Sequence, residues 1–340
     1  MQILSAVLLV VLLVLLVLLF RELLTGAPEY PVSQEGIRPL HVILGPGVGN
    51  RPFFDGPMGV TFGADGRIYV ADSGNHRVVV FDSEGEYLFQ FGGLGVGKPA
   101  AGIEPSWKPG LFNYPTDICS DDVGNIYVAD FRNDQIQVFD ADGNFLRVFP
   151  DRNEPLGRGA SGQDGAGIAV TSLTVHGERV YATDTYQVAV FSTEGELLDQ
   201  FGRPGAEPGD LDHPNGIAVG APSVVVVSNS NRNQVLAFAP GGRFMWSFGK
   251  PLGNDLAGLS GELELPRGLT IMDDGTVLVA DALADSIVRL TLAGEFDGRF
   301  GTRGAAPGQF NAPMDVDEAD NRLAIAEKGN DRVQVIVIED

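Results

Sequence analysis

The chain has 340 residues, of which 45 are acidic and 23 are Lys or Arg, giving a formal net charge of −22. Nucleic-acid binding by counterion release needs clustered Lys and Arg, so RNA and DNA are not expected partners, and the surplus acid speaks first to solubility. The lone Cys119 excludes an internal disulfide.

In chain order, Ile3 to Phe20 is apolar apart from Ser5. A helix of that length reaches about 27 Å, enough for a hydrocarbon core of about 30 Å. No Lys or Arg occurs in the first twenty residues, and the run exceeds the roughly 7–15 residues of a secretory signal core. Thr25-Gly26-Ala27 has the small residues of a cleavage site, but Pro28 follows directly. The expectation is a retained single-pass signal anchor at residues 1–20, a Pro- and Gly-containing stem at 21–37, and a folded domain at 38–340. Orientation is poorly encoded, because only Arg21 and Glu22 flank the helix.

The domain opens with a strand-like segment at residues 38–45. It then reads Pro57-Met58-Gly59-Val60-Thr61-Phe62, an Asp65-Gly66 turn, Arg67 to Asp72, Arg77 to Asp82, a Glu84-Gly85 turn and Glu86 to Gly92. Gly after an acid between alternating apolar runs marks tight hairpins, since Gly accepts the positive φ they need. Four antiparallel strands result. The same order recurs at Pro115 to Phe149, about Val170 to Gly202, Pro214 to Gly249 and Pro266 to Gly301, and a last unit from Pro313 has three strands.

Each unit closes an apolar run on Asp72, Asp130, Asp184, Asn229, Asp281 or Glu327, spaced by 58, 54, 45, 52 and 46 positions. That period sits at or slightly above the roughly 40–50 residues of a propeller blade. The expected fold is therefore all-β, a six-bladed β-propeller of four-stranded antiparallel blades. Strand 38–45 supplies the strand missing from the last blade, and closing the ring in this way hides sheet edges.

Val70-Ala71-Asp72-Ser73-Gly74-Asn75-His76-Arg77-Val78, Val128 to Ile136, Glu327 to Val333 and the joints Pro208 to Pro214 and Pro307 to Pro313 resemble the NHL repeat family over about residues 38–338. Blade three departs most, lacking the leading Pro and the Asn of the turn. The resemblance implies the propeller. Through its exported bacterial members, it also implies a domain on the extracytoplasmic side of the membrane.

Propeller geometry places the residues after each opening Pro at the mouth of the central channel: Met58, Thr116, Asp117, Asn215, Arg267, Met314 and Asp315. Asp117, Arg267 and Asp315 there either bind a cation or polar substrate, with like-charge crowding raising one carboxylate's pKa, or pair with each other across the channel. Asp117 and Asp315 are the metal candidates, for calcium or zinc, although no cofactor is expected. The six closing residues invite a calcium reading, but one acid per blade is what a structural repeat demands, each capping the turn beyond it. Asp121-Asp122-Val123-Gly124 and Asp273-Asp274-Gly275 lack the spacing of an EF-hand and read as hairpin turns.

Amidating lyases of peptidyl-hydroxyglycine are distantly similar propellers, and that resemblance implies three zinc-binding His, one in a Pro-His pair opening a blade. Here the pairs are Pro57-Met58, Pro115-Thr116, Pro214-Asn215, Pro266-Arg267 and Pro313-Met314, and His41, His76, His176 and His213 are scattered. Similar lactonases use acids and an Asn around a divalent cation, which Asp117, Asn215 and Asp315 would mimic. Cys119 lies within a first strand as an apolar core residue, and no Gly-x-Ser-x-Gly elbow occurs.

Repeat symmetry breaks in the long joints 93–111, 150–167 and 250–264, all on the mouth face, and long loops in compact domains are often functional. Trp107, beside Lys108, is the aromatic anchor expected for a partner, or else a lid on its own blade. Trp246 is expected in the core. These features point to a binding or scaffold module for a protein, peptide or glycan. The rival is a cation-dependent hydrolase or lyase at Asp117, Asn215, Arg267 and Asp315.

Overall fold

In the computed structural model, which describes residues 36–47, 53–96, 106–150, 169–249 and 263–338, the first strand is Ile37–Ile43 (β1). The expected anchor at 1–20 and most of the stem lie outside the described residues. Among the described residues no helix is long and apolar enough to cross a membrane.

The turns reverse the chain where the Gly residues stand. Blade one comprises Gly59–Phe62 (β2), Ile68–Asp72 (β3), Arg77–Phe81 (β4) and Tyr87–Gly92 (β5). Blade two comprises Pro115–Ser120 (β6), Ile126–Asp130 (β7), Gln135–Phe139 (β8) and Phe145–Phe149 (β9), and blade three Ser172–His176 (β10), Arg179–Thr183 (β11), Val188–Ser192 (β12) and Leu197–Phe201 (β13). Blade four holds Pro214–Gly220 (β14), Val224–Asn229 (β15), Gln234–Ala239 (β16) and Arg243–Phe248 (β17), and blade five Pro266–Ile271 (β18), Val277–Asp281 (β19), Ser286–Leu290 (β20) and Phe296–Phe300 (β21). Blade six holds Pro313–Ala319 (β22), Arg322–Glu327 (β23) and Arg332–Ile338 (β24).

Each blade is one four-stranded sheet in sequence order, except that blade six runs β1-β24-β23-β22. The protein is therefore a six-bladed propeller of antiparallel blades whose ring is closed by its two ends, with Ile37 opposite Ile338 and Ile43 opposite Val333. The closing strand is 37–43 rather than 38–45. Leu44 has already left the ladder, and its carbonyl instead accepts the Phe54 N–H at 3.2 Å.

Hydrophobic packing follows the ring. Six clusters form, one at each seam between neighbouring blades: Val60, Phe81 and Val335 join blades one and six, for example, and Val78, Phe112 and Phe139 join blades one and two. Strands two and three of a blade are buried on both faces, as in the unbroken BBBBB of β3, β4, β7 and β8, because each face meets a different neighbour. The fourth strands β5 and β17 alternate half-buried and exposed residues. Each buried Phe contributes about 1.5–3 kcal/mol, so the domain holds together as six small cores. Trp246 packs against the seam of blades four and five and donates its indole N–H to the Leu292 carbonyl at 3.1 Å. Cys119, expected in the core, is half-buried against the seam of blades two and three, and burial pushes its thiol well above the usual value.

First strands line the channel, with β2, β6, β10, β14, β18 and β22 touching in succession. Their entry loops and the turns between second and third strands share the mouth face. The hairpins joining first to second strands, and those joining third to fourth strands, share the opposite, hairpin face.

Candidate functional site

The closing residues are structural, and all but Asp184 bond the joint before them in addition to, or in place of, the turn expected after them. Asp72 accepts from the Asp55 N–H at 2.8 Å, Asp130 from Asn113 at 2.6 Å, Asn229 from Asp212 at 2.7 Å, Asp281 from Leu265 at 2.8 Å and Glu327 from Asn311 at 3.0 Å. Each donor lies just before the Pro that opens the same blade, 16 or 17 positions upstream in these pairs. The acids therefore hold the incoming joint. Asp72, Asp130 and Glu327 also hold the turn beyond them, accepting from the Asn75, Asn133 and Asn330 amides, whereas Asp184 is the one among the described closing residues that accepts from backbone N–H groups of that turn, those of Tyr186 and Gln187. Buried cations complete the pattern at the ring closure, with Arg77 2.7 Å from Asp72 and Arg332 2.7 Å from Glu327.

At the mouth, Met58, Thr116, Asp117, Asn215, Arg267, Met314 and Asp315 line one throat together with Thr171 and Gly268. The opening Pro sets φ at the first residue of the strand, and the next residues turn inward in every blade. The throat encloses about 10 Å³, close to what one water molecule needs. Thr171 was missed because blade three lacks the leading Pro. Its hydroxyl donates to the Pro214 carbonyl at 2.6 Å.

The two carboxylates are occupied by the protein. Asp117 accepts from the Ser172 hydroxyl at 2.5 Å, the Leu173 N–H at 2.8 Å and its neighbour Ile118 N–H at 2.8 Å. Asp315 accepts from the Val60 N–H at 2.9 Å, and its other oxygen lies against Gly268, where a Cβ would collide with it. Each acid thus fastens its blade to the next one. Burial raises Asp117 to about 6, and burial followed by the charge of Asp117 raises Asp315 well above the ordinary range.

One layer deeper, Asp317 accepts from the Thr61 hydroxyl at 2.9 Å and the Phe62 N–H at 2.8 Å, and burial raises its pKa. The sequence carried a signal for it, since Asp315 and Asp317 sit two apart on a first strand and so face the same channel.

Arg267 does not pair with these acids. Burial lowers its pKa, the Tyr114 phenol acts in the opposite direction, and among the described residues its buried Nε has no hydrogen-bond partner. Tyr114 belongs to the joint of blade two, which lies across the ring from blade five, and Arg132 stacks over its ring at 4.6 Å. His76 accepts the Tyr114 N–H on Nδ1 at 3.0 Å, a structural role.

Trp107 and Lys108 stand outside the throat. Trp107 is half-buried in the joint of blades one and two, its backbone N–H bonded to the Val96 carbonyl at 3.1 Å, while Lys108 is exposed. Residues 97–105, 151–168 and 250–262 of the long joints lie outside the described residues.

The donor set does not suit a calcium or zinc ion. The Asp117 oxygens and one Asp315 oxygen already accept protein hydrogen bonds. Among the described residues no group of three or more His, Cys, Asp or Glu side chains is arranged to hold a metal.

Residues 54–81 and 112–139 match the model of the NHL repeat, so two of the six blades carry the repeat in recognisable form. The NHL repeat-containing protein 2 of Bos taurus is 35% identical over 106 residues, which is 31% of this chain and 14% of that protein. The peptidyl-glycine alpha-amidating monooxygenase A of Xenopus laevis is 28% identical over 182 residues, 52% of this chain and 18% of that protein. The chain thus spans less than a fifth of either relative's length. A virginiamycin B lyase from Staphylococcus aureus superposes with a TM-score of 0.53 at 12% identity, covering 89% of this chain and 99% of that one, which is likeness of fold.

Proposed function

We propose that this NHL-repeat propeller is a binding module that presents its mouth face to a protein, peptide or glycan partner, and that the apolar segment 3–20 anchors it to a membrane with the domain outside the cytoplasm. The observation that carries the reading is Arg267. A buried guanidinium nitrogen without a partner costs free energy, and the throat beneath it has room for about one water rather than a substrate. The side chain as a whole is only half-buried, so a partner lying across the mouth can contact it.

The rim supports this. Leu44, Phe53, Leu94 and Leu283 are exposed large apolar side chains on mouth-face connections, whereas among the described residues Val123 is the one such side chain in a hairpin-face turn and the other six lie along the outer fourth strands. Apolar anchors around a polar centre are the usual anatomy of an interface. The nature of the partner rests on this surface alone.

Lyase or hydrolase chemistry at the same throat is favoured by one observation, the Asp117 carboxyl at about 6, in the range useful to a general base. The throat's size and the lack of a fitting cation site weigh against it.

The two readings separate on substitution. Arg267→Ala should lower partner capture by the full chain while leaving its thermal transition in place. An activity that disappears in Asp117→Asn and survives in Arg267→Ala would favour chemistry instead.

A further inference from the structure

On the hairpin face, blades one and three open their second strands with the same pair, Arg67-Ile68-Tyr69 and Arg179-Val180-Tyr181. In blade one the pair clasps the hairpin of the next blade. Tyr69 donates its hydroxyl to the Ala141 carbonyl at 2.9 Å, and Arg67 Nη1 donates to the same carbonyl at 2.9 Å and to the Asp142 carboxylate at 3.1 Å. The seam there keeps a cavity of about 230 Å³.

Blade three meets a different hairpin. The buried Phe139 and Phe238 follow the same ladder irregularity in blades two and four, which aligns Asp140-Ala141-Asp142-Gly143 with Ala239-Pro240-Gly241-Gly242. The acid that binds Arg67 is thus a glycine opposite Arg179. Among the described residues Arg179 makes no ion pair or side-chain hydrogen bond. The Tyr181 hydroxyl has no partner either, although Tyr181 is only 5% exposed. Both line a cavity of about 390 Å³ with Phe201, Val225 and Pro240 as its apolar wall, within the roughly 300–1,000 Å³ of small-ligand sites.

We propose that the cavity between blades three and four is a binding site for an acidic peptide turn, with the ligand's carboxylate on Arg179 and the carbonyl of the preceding residue on Tyr181. The same chain supplies the template, since Arg67 and Tyr69 hold an Ala-Asp unit by those two groups. A planar guanidinium fork suits a carboxylate. Glu178 and Asp199 also line the cavity, but acid nearby does not prevent the contact: Arg67 Nε is 3.2 Å from Asp65 while its Nη1 holds Asp142. The site lies on the face opposite the mouth, so it stands or falls independently of the proposed function.

The test is binding of a cyclic peptide carrying the turn Asp-Ala-Asp-Gly to the full chain, followed by NMR. Arg179→Gln should weaken binding by about ten- to a hundred-fold, the range for a charged hydrogen bond, and Tyr181→Phe by less. Grafting the blade-two turn by Ala239→Asp, Pro240→Ala and Gly241→Asp should abolish it by filling the site from within, whereas Arg67→Gln should change nothing. The peptide with Asn for its second Asp should bind as poorly as the Arg179→Gln protein binds the original. No binding to the unaltered chain, or binding indifferent to Arg179→Gln and to the graft, would overturn the proposal. Displacement of the peptide by an equal concentration of inorganic phosphate would reduce the site to a bare anion site and overturn the peptide assignment.

Discussion

The carboxylate of Asp315 accepts a 2.9 Å hydrogen bond from the backbone N–H of Val60, which lies 255 positions earlier in the chain. Blade six is thereby fastened to blade one at the channel, while the pairing of β1 with β24 fastens the ends at the rim. The ring is closed at its inner and outer radii.

Asp315→Ala should therefore destabilise the domain by about 1–3 kcal/mol, the cost of leaving a buried N–H unsatisfied. Asp315→Asn, which keeps an acceptor, should cost less. Urea denaturation of the two variants checks this, and equal transitions for Asp315→Ala and the unaltered chain would remove the inner clasp from the account.

Asp117 gives the domain a pH dependence. Its folded pKa is raised from the ordinary 3.8 to about 6 by burial, so the protonated form is favoured in the folded state. Its contribution is fully present below the unfolded pKa and is lost as pH rises through about 6. The loss is on the order of 2–3 kcal/mol. Stability measured at intervals from pH 4 to pH 8 should fall less steeply in Asp117→Asn than in the unaltered chain.

Arg77→Ala should be among the more damaging single changes, because it leaves the Asp72 carboxylate buried without its 2.7 Å partner. Breaking a buried pair from one side costs about 3–5 kcal/mol. Adding Asp72→Asn should restore part of the loss, which a thermal melt of the double variant would show.

Deleting residues 37–43 should open blade six and expose the edge of β24. Loss of the cooperative transition or aggregation is expected, and a soluble, cooperatively folding product would show that the ring closes without β1.

Much of this was legible in the residues because the repeat is written in them. The opening Pro of five blades was enough to gather Met58, Thr116, Asn215, Arg267 and Met314 around one throat. Thr171 was hidden because its blade lacks that Pro. That Asp72, Asp130 and Glu327 reach back to the joint before them as well as to the turn after them was not legible, since only three-dimensional packing brings that joint within reach. The free Arg179 was hidden for a similar reason: its loss lies in Gly241, on another blade, and shows only when the hairpins are aligned in space.

The most direct test of the mouth as a binding face is photo-crosslinking in cells with a crosslinking residue placed at Leu283 on the rim or at Val123 on the hairpin face, both well exposed. A discrete adduct is expected from position 283 that is lost when Arg267→Ala is added, and none from position 123 in the same size range. An adduct from position 283 that persists without Arg267, or no adduct from the mouth at all, would contradict it.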